Sequence, residues 1–242
     1  MATELKFTSE IVVEQIQSMG GDQTIVHAAR VSTRGSQHGP RGDVDAKEAS
    51  GLIRYLMQHR HGTPFEHAAA TFFVRAPIFV WREWHRHRIG HSYNEESARY
   101  KTLDPVFYVP PRDRPMMKVE GWKPGRPKFT HAPDEVYEKL CMNLRTSYGM
   151  AYEMYESNLR LGIDPGLARD CLPVGIYSSC WVTVNPRSLM AFLSLRTHEP
   201  DAKFVSYPLY EIEVAARACE ALFAQGWPLT HAAFVEFGRV AP

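Results

Sequence analysis

No apolar stretch in this sequence approaches the roughly 20 residues that a helix needs to cross a bilayer. The first residues, MATELKFTSE, also lack the apolar core of a signal peptide. An excess of one charge is missing too, because 28 basic and 27 acidic residues leave a net charge of +1. Proteins that bind nucleic acid polymers or membrane surfaces usually have a clear basic excess. We therefore expect a cytoplasmic protein with no membrane and no nucleic acid polymer among its partners.

Cysteine is scarce, and the chain has no Cys-x-x-Cys pair. The four cysteines are scattered along the second half of the sequence: Cys141, Cys171, Cys180 and Cys219. In a reducing compartment such cysteines are usually small buried apolar residues. We expect them to be structural.

A histidine-rich segment, HRHGTPFEH, covers residues 59–67. Two histidines and a carboxylate can bind a metal ion, and a phosphohydrolase that uses His61 and His67 is one function to consider. The segment has no His-Glu-x-x-His pattern on a helix and no cysteine partner, so its spacing is unspecific. We predict no metal site.

The chain is long enough to bury a sizeable core, and we expect a single domain over residues 1–242. Ala68–Ala76 is rich in residues that favour a strand. Apolar residues at helical spacing predict helices over about Asp45–Gln58, Pro77–Arg88, Asp134–Leu161, Asn185–Arg196 and Tyr207–Ala224. A stretch without hydrophobic period predicts a loop over Arg34–Asp43.

Positive charge is concentrated between Trp81 and Tyr100, in WREWHRHRIGHSYNEESARY. This stretch holds four arginines and three histidines beside three glutamates. A salt-bridged helix end followed by a polar turn is the plainest explanation. The local acids cannot neutralise all the cations, however, and guanidinium groups bind phosphate or carboxylate bidentately. The stretch therefore indicates a small anionic ligand.

The string RHRIGHSYNEESARY, residues 86–100, resembles the signature of the flavin-dependent thymidylate synthases. In that family Arg-His-Arg is followed, usually after seven residues, by a serine and then Arg-Tyr. Eight residues separate Arg88 from Ser97 here, and we place the extra one near Gly90–His91. The segments TPFEH, Arg169-x-x-Leu-Pro and NPRSLM extend the resemblance over nearly the whole chain.

This resemblance implies an α/β (α+β) fold, with a largely antiparallel sheet and flanking helices. It also implies that dUMP is methylated to dTMP with carbon from 5,10-methylenetetrahydrofolate, with FAD as hydride carrier and NADPH as reductant. The expected assembly is a homotetramer with shared active sites. No cysteine lies in the Pro-Cys context of the flavin-free synthases, so we expect no cysteine nucleophile.

The resemblance also assigns residues to roles. Arg196 is the predicted catalytic residue, which polarises the uracil ring by stabilising negative charge. FAD contacts are expected at Ser32, His61, Thr63, Arg86, His87, Arg88, Glu95, Asn185 and Arg187. Nucleotide contacts are expected at Glu83, Arg86, Glu95, Glu96, Ser97, Ala98, Arg99, Arg169 and Arg196. Because two arginines flank His87, like charges should favour its neutral form.

Three positions depart from the family pattern: Ala191 replaces a common Asn, Glu83 replaces a common Gln, and His198 stands at a different spacing from the usual histidine. The alternative function is a non-catalytic protein that binds a nucleotide or RNA through the basic residues 82–99.

Overall fold

A computed structural model describes residues 3–34 and 44–242. All but the first residue of the loop predicted over Arg34–Asp43 lies outside this part of the chain. Contacts between residues divide the chain into two units. The first unit comprises residues 1–12, 75–84 and 95–180, and the second comprises residues 13–74, 85–94 and 181–242.

The first unit contains the long helix α4, Asp134–Arg160, which agrees closely with the predicted helix. Its buried tyrosines form the core, and the rings of Tyr148 and Phe107 stack at 4.8 Å. The Tyr152 hydroxyl donates to the carbonyl of Leu103 at 2.9 Å. The other elements are a parallel pair, β1 (Lys6–Thr8) with β5 (Val106–Tyr108), an antiparallel pair, β6 (Met117–Lys118) with β7 (Phe129–Thr130), and two short helices, α3 (Ile78–Trp84) and α5 (Pro165–Ala168).

Helix α3 is shorter than predicted, because it ends at Trp84 and not at Arg88. Trp81 and Trp84 are buried, and their rings stack at 5.3 Å. The Trp81 indole also donates to the carbonyl of Ser178 at 3.2 Å. The residues that follow, His-Arg-His-Arg, offer no apolar side chain to continue the buried face, so packing does not extend the helix.

The second unit contains most of the helices, and its buried residues include Ile53, Phe72, Phe192, Phe223 and Phe234. The helices are α1 (Asp22–Arg34), α2 (Ala46–Gln58), a short 3₁₀ helix (Thr63–Glu66), α6 (Pro186–Arg196), α7 (Tyr210–Gly226) and α8 (Pro228–Glu236).

The sequence analysis did not predict α8. Pro228 is its first residue, a position that suits proline. The Asp22 carboxylate accepts hydrogen bonds from the amides of Leu229 (2.8 Å) and Thr230 (3.0 Å). This cap comes from the other end of the chain, so local sequence patterns do not show it.

Four further strands are β2 (Val12–Met19), β3 (Ala69–Pro77), β4 (His91–Glu95) and β8 (Tyr177–Val184). They form a sheet of order β2-β3-β8-β4 that is largely antiparallel with flanking helices, which confirms the predicted fold class. The hydroxyls of Thr71 on β3 and Thr183 on β8 lie 2.9 Å apart. Among the described residues, no helix is long and apolar enough to cross a membrane.

Candidate active site

A cavity of about 730 Å³ in the second unit collects most of the predicted cofactor residues. We call it the cationic cavity. Residues 86–88, which follow α3, line it together with Asn185 and Arg187 at the start of α6. The other lining residues are Arg60, Glu66, Ile89, Gly90, His91, Ser188, Ala191, Ala241 and Pro242.

The start of α6 sets the geometry of this cavity. Asn185 caps the helix, and its side-chain oxygen accepts the amide of Ser188 at 2.8 Å. Gly90 packs against this cap with φ +67°, and a Cβ there would overlap Ser188 and approach Asn185 Nδ2 to 2.6 Å. Only glycine fits such a left-handed turn easily. The turn falls where we placed the extra residue of the signature.

The charge of the cavity is strongly positive. The side chains of Arg60, Arg86 and Arg88 form no hydrogen bond and no ion pair with any residue that the structure describes. Arg187 differs, because it donates to Glu66 Oε1 at 2.5 Å and to the Pro242 oxygen at 2.8 Å. Three uncompensated guanidinium groups around one cavity favour an anionic ligand.

Arg60 was not identified from the sequence. Its φ of 60° is uncommon for a residue with a side chain. The sequence carries no signal for this conformation, because His-Arg-His reads equally well as an ordinary helix end.

His87 lines the cationic cavity and also contacts Arg196, the predicted catalytic residue. Arg196 Nε donates a hydrogen bond to His87 Nε2 at 3.0 Å. Burial, followed by the charges of Arg196 and His91, lowers the pKa of His87 to about 4. The imidazole is therefore neutral near pH 7, as the sequence predicted, but burial and not the flanking arginines is the main cause.

Three other predicted cofactor residues line a smaller cavity, of about 300 Å³, in the same unit: Ser32, His61 and Thr63. His67 lines it as well. The Ser32 hydroxyl donates to the carbonyl of Ala29 at 2.8 Å. Among residues 3–34 and 44–242, no group of three or more His, Cys, Asp or Glu side chains is placed to hold a metal ion.

A cavity of about 280 Å³ in the first unit collects four predicted nucleotide residues: Glu95, Glu96, Ala98 and Arg169. We call it the nucleotide cavity. Both glutamates are held in place by hydrogen bonds. Glu95 Oε1 accepts the hydroxyl of Ser178 at 2.5 Å, and Glu96 Oε1 accepts the amide of Ser179 at 2.7 Å.

The remaining predicted nucleotide residues, which are Glu83, Ser97, Arg99 and Arg196, are not among the lining residues of either cavity. The Ser97 hydroxyl accepts the amide of Arg99 at 3.3 Å, and the Arg99 guanidinium lies 5.6 Å from the ring centre of Tyr100.

The other two departures from the family pattern can also be located. Ala191 lines the cationic cavity and contributes a methyl group. His198 is held elsewhere, with Nδ1 2.7 Å from the carbonyl oxygen of Ser206.

Known proteins are similar to this chain over most of its length. Residues 14–229 match the family described as "Thymidylate synthase complementing protein" (Thy1). The flavin-dependent thymidylate synthase of Streptomyces coelicolor is 48% identical over 239 residues, which cover 99% of this chain and 96% of that protein. The enzyme of the same name from Tropheryma whipplei is 46% identical over 236 residues, or 98% of this chain and 97% of that protein.

A solved structure is also similar. It is the UMP/dUMP methylase PolB from Streptomyces cacaoi bound with 5-Br dUMP, with a TM-score of 0.92 and 45% identity, covering 98% of this chain and 100% of that chain. On the signature residues, the fold and these matches, the chain belongs to the thymidylate synthase complementing protein family, the flavin-dependent thymidylate synthases.

Proposed function

We propose that this protein methylates dUMP to dTMP with the one-carbon unit of 5,10-methylenetetrahydrofolate, using FAD as hydride carrier and NADPH as reductant. Family membership supports the reaction class. One structural observation carries the assignment to these residues. Three arginines of the cavity have no side-chain partner within the described part of the chain, and neutral His87 links this cavity to Arg196.

The cationic cavity fits FAD in size and charge. Its volume of about 730 Å³ is within the usual range for ligand pockets. The pyrophosphate of FAD is an anion that guanidinium groups bind well, and we assign Arg86, Arg88 and Arg187 to its negative groups. Asn185 adds a neutral amide. Reduced FAD, when bound, supplies the hydride that no side chain can supply.

The residues of this chain then have to hold and polarise the nucleotide. We propose that Arg86, Ser97 and Arg99 bind phosphate and sugar, and that Arg169 faces the base. The carboxylates of Glu95 and Glu96 can accept hydrogen bonds from sugar hydroxyls.

Arg196 is the proposed catalytic residue. Its Nε–H bonds to His87, so the plane of the guanidinium is fixed by a neutral acceptor. We propose that its terminal nitrogens contact the imide edge of uracil and stabilise the negative charge that develops there. This makes the ring carbon at position five nucleophilic without covalent attack on the ring by the protein.

The assembly we propose is a cytoplasmic homotetramer with shared active sites, in which each subunit is one domain. Asn185 and Arg187 line one cavity together with residues 86–88 of the same chain. We therefore propose that the sharing between subunits involves other groups.

Complementation between subunits tests the shared sites. His87→Ala removes a residue of the cationic cavity, and Arg169→Ala removes one of the nucleotide cavity; each should be inactive alone. If one subunit's cationic cavity works with another subunit's nucleotide cavity, subunit exchange between the two variants restores up to about a quarter of the activity. No recovery in verified mixed tetramers would contradict sharing.

The proposed reaction is tested with purified protein and FAD. We expect a yellow complex that forms dTMP from dUMP only when methylenetetrahydrofolate and NADPH are present, and UMP should be compared as a substrate. A protein that takes up no FAD and binds RNA with a strong salt dependence would favour the alternative function.

A further inference from the structure

Helix α6 carries a predicted site arginine at each end, and the same short segment contacts both ends. Arg187 lies in the first turn, and Arg196 is the last residue. At the start, Arg187 Nε donates to the oxygen of Pro242 at 2.8 Å. At the end, Arg239 Nη2 donates to the hydroxyl of Thr197 at 3.0 Å. Residues 239–242 thus hold α6 at two points.

The anchor of this segment is a buried ion pair. Arg239 and Glu220 form a bidentate pair, with both N–O distances 2.8 Å. His231 Nε2 lies 2.9 Å from the same carboxylate. Burial raises the pKa of Glu220, but hydrogen bonds from His231 and Arg239 outweigh it and lower the pKa to about 2. The carboxylate is therefore charged whenever the protein is folded near neutral pH.

The backbone at Arg239 is also unusual. Its φ is 58°, in the left-handed region that residues with side chains rarely adopt. Such a conformation persists only where the surrounding contacts determine it. Here the contacts are the ion pair with Glu220 and a backbone hydrogen bond, in which the Arg239 amide donates to the carbonyl of Phe234 at 2.8 Å.

Thr197 connects the end of α6 to this ion pair. It is 2% exposed, and its amide and hydroxyl both donate to the carbonyl of Leu193, at 3.0 and 2.7 Å. The hydroxyl oxygen also accepts from Arg239. One hydroxyl therefore closes the last turn of the helix and ties it to a rigid ion pair. Arg196 precedes Thr197 directly, and its Nε–H is already directed at His87.

We propose that Thr197 and Arg239 are positioning residues that hold Arg196 in the orientation in which it polarises the substrate. Neither residue has to touch a ligand. The catalytic part of this inference rests on the proposed function, whereas the restraint on the end of α6 does not. A displacement of a catalytic group by about 1 Å can cost on the order of 10²-fold in rate, so loosening this turn should be measurable.

Thr197→Val and Thr197→Ser form a matched pair for the test. Valine keeps the shape and removes the hydroxyl, whereas serine keeps the hydroxyl and removes a methyl group. We expect Thr197→Val to speed hydrogen–deuterium exchange in peptides covering residues 190–200, keep FAD affinity within about twofold, and lower kcat roughly tenfold or more. Thr197→Ser should match the parent in exchange and in kcat.

Each other result overturns the inference. Equal behaviour of the two variants would show that the hydroxyl is not needed. Faster exchange without loss of kcat would show that the restraint does not serve catalysis, and loss of kcat without faster exchange would show that it acts by another route. A parent enzyme that forms no dTMP would defeat the proposed function instead, and the exchange comparison would still test the restraint.

A second variant keeps the test valid if Thr197→Val is too unstable. Arg239→Ala leaves a space beside Glu220 that added guanidinium can fill, and we expect guanidinium to restore part of kcat. Arg54→Ala is the control. Arg54 pairs with Glu236 on α8, and among the described residues it forms no hydrogen bond with α6. Guanidinium should not change its kcat. Absence of rescue in folded Arg239→Ala would count against the role of Arg239.

Discussion

Arg196 and His87 are joined by a hydrogen bond of 3.0 Å between Nε of the arginine and Nε2 of the histidine. The guanidinium can only donate, so the imidazole nitrogen must be unprotonated to accept. The neutral state of His87 and the orientation of Arg196 are thus two aspects of one contact. His87 also lines the cationic cavity, which links the proposed cofactor site to the proposed catalytic residue.

Replacing Arg196 by lysine should abolish most dTMP formation while FAD remains bound. Lysine keeps the charge but loses the planar fork and the Nε–H that bonds to His87. We expect kcat to fall on the order of 10²-fold or more, as for loss of an electrostatic group in an active site. Steady-state kinetics and flavin absorbance measure the two effects.

Arg54→Lys is the control for this substitution and should keep the parent rate. Arg54 pairs with Glu236 on α8, outside the cationic cavity. Turnover by Arg196→Lys at the parent rate would show that the assigned role is wrong.

The buried histidine should make stability depend on pH. The pKa of His87 is lowered from 6.5 to about 4. Between these values the unfolded chain binds a proton and the folded protein does not, so stability falls as pH drops through this window and levels off below it.

In urea unfolding at several pH values, His87→Asn should show a shallower loss of stability from about pH 6.5 to 4 than the parent. Burial also lowers the pKa of His91, which contributes with the same sign, so the slope should decrease and not disappear. An unchanged slope would contradict the buried, neutral state of His87.

The arginines of the cationic cavity should determine FAD affinity. Arg88→Gln removes one of the cations that line the cavity. We expect FAD to bind about 10- to 100-fold more weakly, the usual range for a hydrogen bond to a charged group. Arg82→Gln is the matched control, because Arg82 is exposed on α3 and does not line the cavity. Titration with FAD, followed by flavin fluorescence, measures the FAD affinity of both variants. If Arg88→Gln bound FAD as tightly as Arg82→Gln, the FAD phosphates would have to lie elsewhere.

Several features were predictable because their signals are local. Asn185 and Pro186 start α6 as the sequence indicated, and α4 begins and ends within one residue of its predicted bounds. Strand β4 was missed because His91–Glu95 has no hydrophobic alternation. Helix α3 ends at Trp84 and not at Arg88, because the residues that follow offer no apolar side chain to continue its buried face.

The residues of the candidate site that belong to sequence motifs could be predicted, and the others could not. Asn185 and Arg187 join residues 86–88 in one cavity, although about a hundred residues separate them in sequence. Arg60 and Pro242 also line this cavity, and neither belongs to a motif. Their positions depend on a left-handed turn and on an ion pair at the end of the chain, which only the fold brings together.

None of the cysteines should be needed for the reaction. Cys141, Cys180 and Cys219 are buried, and burial raises the pKa of the Cys219 thiol to about 12. Only Cys171 is exposed among the four. Single replacements by Ser or Ala should keep kcat within about twofold, at a cost in stability of roughly 1–3 kcal/mol at buried positions. Loss of dTMP formation in one folded, FAD-loaded variant would indicate that the reaction uses a cysteine nucleophile.

The folate product tests the central claim most directly. If the reducing hydride comes from NADPH through the flavin, methylenetetrahydrofolate donates only its carbon and leaves as tetrahydrofolate. If the folate itself were the reductant, dihydrofolate would form instead. We predict that FAD-loaded protein, incubated anaerobically with dUMP, methylenetetrahydrofolate and NADPH, yields dTMP and tetrahydrofolate in equal amounts, with one NADPH oxidised per dTMP. Dihydrofolate in equal amount to dTMP, or dTMP formed without FAD, would contradict the account.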